Sequence, residues 1–227
     1  MIIWSHRGHP GPENTLKAFE SAWEDGITHF ETDIHATLDG HLVLAHDPSI
    51  LRLTQVDQQI STLTLEQLQE FPIHGKHPWC TLEELVIRFP DAHISIDIKS
   101  DDTLDPFIAW MHGRHAENFV VGSFSSKRVQ SFRQAHPSVR TALTPMETLA
   151  LVFGLDRLVK WDESKKHYAM VPRSFRGIPI CTSGFIKRCR TKEISIFVWT
   201  INDVSTARTL VERGAHGVVT DTYPLIR

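Results

Sequence analysis

The chain has 227 residues, 41% of them apolar and 22% charged, and a formal net charge of -3. That size suffices to bury a large core and fits one barrel domain spanning 1–227. The slight acidity excludes a long-range attraction to nucleic acid or anionic membrane, and the basic pairs Lys165-Lys166 and Lys187-Arg188 read as solvated surface. No window approaches about 18 uninterrupted apolar residues, so no stable membrane insertion is expected. Met1 to Ser5 carries neither a basic region nor a long apolar stretch, so no signal peptide is expected. Cys80, Cys181 and Cys189 are odd in number and lack CxxC spacing. They read as reduced thiols of a cytoplasmic protein, not as a disulfide framework or a zinc ribbon.

In chain order, residues 2–5 form a short apolar run, read as a buried strand. Gly8, Pro10, Gly11 and Pro12 then force a loop. Asn14 is placed to cap a helix carrying Leu16, Phe19 and Trp23, which Gly26 ends. Residues 29–35 read as a second strand, Leu38-Asp39-Gly40 as a turn, and residues 41–46 as a returning strand. The pattern weakens from Asp47 to Pro78, which reads as an insertion of approximately residues 47–80, too long for an ordinary barrel loop.

Regular alternation then resumes. Helices are expected over 82–89, 104–111, 126–135, 147–159, 185–192 and 204–213, and strands over 93–99, 119–124, 140–143, 168–171, 195–202 and 218–220. Strands alternating with helices argue for a parallel sheet, and about eight such units for a (β/α)8 barrel of the TIM type. No GxGxxG or P-loop spacing supports the doubly wound alternative.

Strand side chains alternate faces, so Glu31 and Asp33 share one face with His35, and Ser95, Asp97 and Lys99 share another. Inward-facing carboxylates are costly unless they are paired or bind a cation. Glu31, Asp33 and Asp97 would supply hard oxygen ligands suited to calcium, magnesium or manganese; alternatively, Glu31 and Asp33 pair with Arg7 and Lys99. His6 and His46 both fall at the barrel's active rim, as an acid and a base would. Arg7 can grip a phosphate by its fork and Lys99 as a point charge. Of the remaining histidines, His9 and His35 read as surface or neighbours of the site, and His74, His77, His112, His115 and His136 as solvated loop residues.

An ordered set of motifs resembles the glycerophosphodiester phosphodiesterases of bacterial type. These are HRG at His6-Arg7-Gly8, PENT at residues 12–15, ExD at Glu31-Thr32-Asp33, TLDG at residues 37–40 and HD at His46-Asp47. TLEEL at residues 81–85, Ser123-Phe124, VWTIN at residues 198–202 and GAHGVVTDTYP at residues 214–224 continue the resemblance over almost the whole chain. It implies a barrel with a small insertion after the second strand. It also implies one divalent metal held by Glu31, Asp33 and the acidic residue of the third barrel strand, with His6 and His46 as acid and base. Arg7 and Lys99 would then bind the phosphate, and Trp199 and Phe124 would line the pocket near the glycerol. The family's usual glutamate in that third strand is replaced here by Asp97, one methylene shorter.

The expected partner is a small glycerophosphodiester, hydrolysed to glycerol 3-phosphate and an alcohol. Two other readings are kept: lysophospholipase-D-type cleavage of lysophospholipids, and a non-catalytic barrel that binds a phosphorylated ligand.

Overall fold

The computed structural model describes residues 1–159, 161 and 167–226; the pair Lys165-Lys166 lies outside them. The elements are β1 (Ile2–His6), α1 (Leu16–Glu24), β2 (His29–Ala36), β3 (Leu42–Leu44), α2 (Leu51–Thr54), α3 (Leu65–Gln69), α4 (Leu82–Arg88) and β4 (His93–Ile98). They continue as α5 (Leu104–Met111), β5 (Phe119–Gly122), α6 (Ser126–Ala135), β6 (Arg140–Thr141), α7 (Pro145–Phe153) and β7 (Tyr168–Pro172). The last are β8 (Ser174–Phe175), β9 (Ile178–Pro179), α8 (Ser183–Thr191), β10 (Ser195–Trp199), α9 (Val204–Glu212), β11 (Gly217–Thr220) and α10 (Tyr223–Ile226).

Eight parallel strands among the described residues run in the order β6-β5-β4-β2-β1-β11-β10-β7. A parallel bridge from Ala142 to Tyr168, with Leu143 N donating to Tyr168 O at 2.8 Å, joins the two ends and closes the barrel. Trp4, Val120, Ala142, Phe197 and Val219 fill its interior. Two larger apolar layers lie between the strands and the surrounding helices, one around Phe30, Ile94 and Phe107 and the other around Phe185, Ile196 and Leu210.

Caps set the helix starts. Thr81 with Glu84 and Thr144 with Glu147 form reciprocal capping boxes that satisfy amides left free in the first turn. Thr15, not Asn14, caps α1: its hydroxyl accepts from Ala18 N at 3.2 Å. Asn14 sits at φ +57°, a left-handed conformation that an N-cap does not adopt, whereas Thr15 is extended. The helix expected over 147–159 ends at Phe153, because Gly154 takes φ +73° and closes it with a left-handed cap; a 3-10 turn at Asp156–Leu158 follows. Strands expected to reach residues 124, 143 and 202 stop at Gly122, Thr141 and Trp199. His136 is no solvated loop residue: it caps α6, and its Nε2 lies 2.8 Å from Ile108 O.

Between β3 and α4 the chain makes α2, a 3-10 turn at Ile60–Thr62 and α3. These enclose their own core of Ile50, Leu53, Ile60, Leu68, Ile73 and Trp79, packed on Val43 and Ala45. The insertion is therefore a small packed unit seated on the β2–β3 hairpin.

Candidate active site

Strand register assembles the site. Ser5 of β1 pairs with Phe30 on one side and Thr220 on the other, and His6 pairs with Glu31. His6 therefore leaves β1 between Glu31 and Asp221. Its Nδ1 is 2.5 Å from Asp221 Oδ1 and its Nε2 is 3.7 Å from Glu31 Oε2. Asp221 is itself held by Asn202, whose Nδ2 donates to Oδ2 at 2.9 Å. Burial opposes the charge on His6, but Asp221 and Glu31 outweigh it and raise its pKa. The same bonds overcome burial at Asp221 and hold its pKa down at about 2.

The loop after His6 turns sharply. Arg7, at φ +55°, donates its N–H to Glu31 O at 2.8 Å, and its own carbonyl accepts from Asn14 N at 2.7 Å. Gly8 must follow: a Cβ there would stand 2.7 Å from Ala18 Cβ, and its φ is +78°. The result aims the Arg7 side chain at Asp33, with Nε 2.9 Å from Oδ2.

Asp33 of β2 and Asp97 of β4 are paired directly across the sheet. Lys99 separates them, its Nζ 3.1 Å from Asp33 and 3.2 Å from Asp97. Burial dominates the Asp97 carboxyl and, with Asp33 nearby, raises its pKa to about 6 despite Lys99. Glu31 is raised further, to about 8, by burial and then by the charge of Asp33. Its Oε2 is buried without a hydrogen-bond partner.

His46 arrives by a different route. β2 overruns the rim, turns at residues 37–40 and returns as antiparallel β3, with Ile34 opposite Leu44. Ala45 N then donates to Asp33 O at 3.0 Å, which sets Ala45 opposite Asp33 and delivers His46 as the next residue. Its Nδ1 is 2.6 Å from Asp47 Oδ1. His35, on the same hairpin, has its Nε2 3.3 Å from His46 O, so it neighbours the site from behind.

His6, Arg7, Glu31, Asp33, His46, Asp97 and Lys99 all line one cavity of about 310 Å³ at the C-terminal end of the barrel, as do Phe124 and Trp199. The last two rings meet edge to face at 5.9 Å, and the Lys99 ammonium lies 5.8 Å from the Phe124 centroid. The far wall is apolar, formed by Leu143, Leu149, Met170, Phe175 and Ile180. Phe175 comes from the β8–β9 hairpin, which the sequence did not suggest. The three expected metal ligands share the cavity, but Asp33 is engaged by Arg7 and Lys99. No three His, Cys, Asp or Glu side chains among the described residues are gathered as a metal-holding cluster. Asp221, Asn202, Glu13 and Asp47 were missed as functional residues, although all four lie inside the motifs already quoted.

The arrangement offers two imidazoles, each with Nδ1 held by an aspartate, so that Nε2 is the nitrogen left for the cavity, that of His6 standing 3.7 Å from Glu31 Oε2. Arg7 and Lys99 line the same cavity, beside buried carboxyls. This is equipment for proton transfer around an anion.

A model of the glycerophosphoryl diester phosphodiesterase family matches residues 6–224. The chain is 25% identical to a probable glycerophosphodiester phosphodiesterase 2 of Mycobacterium tuberculosis, over all of this chain and 89% of that protein. It is 26% identical to a glycerophosphodiester phosphodiesterase of Caldanaerobacter subterraneus, over 97% of this chain and 93% of that one. Among solved structures, a glycerophosphodiester phosphodiesterase from Thermotoga maritima superposes with a TM-score of 0.77 at 27% identity, over 97% of this chain and 94% of that one.

Proposed function

The chain belongs to the glycerophosphoryl diester phosphodiesterase family, and on that premise we propose that it hydrolyses glycerophosphodiesters to glycerol 3-phosphate and an alcohol. The observation that carries the reading is the pair of aspartate-held histidines, His6 and His46, opening on one cavity with Arg7 and Lys99. Arg7 and Lys99 take the phosphate oxygens and stabilise the charge that develops on them. One imidazole Nε2 removes the proton from the attacking hydroxyl, and the other delivers a proton to the leaving alkoxide. The attacking group is water or the substrate's own glycerol hydroxyl; the latter expels the alcohol and leaves a cyclic phosphate that water then opens to glycerol 3-phosphate. Asp221 and Asp47 keep each ring in the tautomer with Nδ1 protonated and stabilise it when charged.

The donor set suits a hard divalent cation, calcium, magnesium or manganese. Glu31 supports it most directly, with a buried oxygen that accepts no hydrogen bond and a pKa raised to about 8 by burial and then by the charge of Asp33. Glu31 and Asp97 would hold the ion, with Asp33 as the third carboxylate. When bound, the ion supplies further neutralisation of the phosphodiester charge. The described residues include no helix long and apolar enough to cross a membrane, and Cys80, Cys181 and Cys189 are free and buried, which accords with a reducing, cytoplasmic setting.

The test is release of glycerol 3-phosphate from a panel of glycerophosphodiesters, with each cation and with chelator. Cation-dependent release is expected. A folded protein silent in every cation, yet binding the diesters, would instead be a phosphate-ligand-binding barrel. The apolar far wall favours a second reading, in which the leaving alcohol carries hydrocarbon, as in lysophospholipase-D-type cleavage. Faster turnover of lysophosphatidylcholine than of glycerophosphocholine would select it.

A further inference from the structure

The insertion reaches the site through one side chain. Arg52 of α2 donates from Nε to Asp47 Oδ2 at 2.5 Å, and from its two terminal nitrogens to Glu13 Oε2 and Oε1 at 2.9 and 2.7 Å. Each carboxylate continues inward. Asp47 holds His46 Nδ1 through its other oxygen at 2.6 Å, and Glu13 Oε1 stands 3.7 Å from a terminal nitrogen of Arg7. Burial opposes the charge of both acids, yet Arg52 outweighs it and holds both pKa values below the usual range. Arg52 itself is half exposed and is not among the residues lining the cavity.

We propose that Arg52 is a positioning residue that holds His46 and Arg7 together across the mouth of the site; the inference rests on the diesterase reading above. Without the guanidinium, Asp47 loses the anchor that fixes its orientation toward His46. Glu13, buried and deprived of its main counter-charge, then draws Arg7 toward itself and away from the phosphate position beside Asp33. A lysine could serve one carboxylate at a time, whereas the planar fork serves both. The insertion thus sets the geometry of two groups that it does not itself contribute.

The test compares Arg52→Met, Arg52→Lys and the double variant Arg52→Met/Glu13→Gln, with Arg88→Met, at the exposed pair with Glu20, as control. Loss of charge-assisted hydrogen bonds on this scale corresponds to roughly tenfold or more in kcat/KM. Arg52→Met should fall by that much with a raised KM, Arg52→Lys should lie between, and Arg88→Met should match wild type. Free guanidinium should restore part of the Arg52→Met activity. The double variant should recover KM, since Glu13 can no longer trap Arg7.

A loss under threefold, strictly additive single losses, or full function in Arg52→Lys would each overturn the proposal. Should Arg52→Met fail to fold, the lysine variant and Glu13→Gln carry the same comparison. Nitrogen-15 NMR of the His46 ring without substrate separates this inference from the reading beneath it. A shifted Nδ1 resonance in Arg52→Met, with an inactive wild type, would keep the positioning contact and sink the diesterase reading. An unshifted resonance in an active enzyme would sink the positioning role alone.

Discussion

His6 and Asp221 are separated by almost the whole chain, yet their side chains meet at 2.5 Å because β1 and β11 are neighbours in the barrel. The contact fixes which imidazole nitrogen faces the cavity, and it raises the proton affinity of the ring against the opposing effect of burial. Asp221→Asn should therefore lower turnover by roughly 100-fold or more while leaving the fold intact, because the amide can stabilise the wrong tautomer. Steady-state hydrolysis and the circular dichroism spectrum check this together. His6→Ala and His46→Ala should each lose roughly 100-fold or more; losses under tenfold at both would remove their proton-transfer roles.

The cation site proposed at Glu31 can be tested without turnover. A divalent cation that binds the folded state alone raises the melting temperature with its concentration. The wild type should show that rise, and Glu31→Gln and Asp97→Ala should blunt it. An equal rise in all three proteins would place the ion elsewhere.

Lys99 stands between two carboxylates paired across the sheet, with its side chain only 16% exposed. Lys99→Met removes the shared counter-charge and leaves both acids buried. Breaking a buried ion pair on one side costs about 3–5 kcal/mol. Chemical denaturation should report a loss of up to that size at neutral pH, smaller in acid, where Asp97, raised further once Lys99 no longer opposes burial, takes up a proton.

At the opposite end of the barrel, the His29 ring stacks on His93 at 4.5 Å and meets Trp4 edge-on. Burial, then the charge of His93, lowers the His29 pKa from 6.5 to about 4. A histidine kept neutral in the fold but free to protonate when unfolded contributes stability above pH 6.5, which is lost as the pH falls toward 4. His29→Phe should flatten the decline of the melting temperature across that window. A decline as steep as in wild type would assign acid sensitivity to other groups.

The core of the insertion predicts a separable loss. Trp79 is fully buried among Leu53, Leu68 and Ile73, and its Nε1 donates to Phe71 O at 2.8 Å. Trp79→Ala should cost about 3–5 kcal/mol. Hydrogen exchange should show the loss concentrated in residues 48–79, with amides of β1 and β4 least affected.

The parts of the site that could be read in the sequence were those fixed by local rules. Glu31 and Asp33 share a face by strand period, and the Leu38-Asp39-Gly40 turn brings His46 back to the rim. What escaped was set by pairing over distance. Nothing near His6 names Asp221 as its partner, and nothing near Asp47 shows that Arg52 also reaches Glu13. The β8–β9 hairpin escaped because strands of two residues carry no alternation, leaving only Arg176-Gly177 at its tip. Helix α7 was drawn too long because apolar residues continue past Gly154, whose left-handed backbone overrides their periodicity.

The closure of the barrel is uneven. β2, with eight residues, supports the charged half of the cavity and is hydrogen-bonded along both edges. The opposite wall, beneath Leu143 and Leu149, is closed by a two-residue β6 and one bridge from Ala142 to Tyr168. The sheet is therefore paired continuously beneath the carboxylates and held by a single bridge beneath the apolar wall. On the proposed reading the phosphate lies over the fully paired half and the leaving alcohol over the half that one bridge closes, where fewer hydrogen bonds stand against a bulkier group.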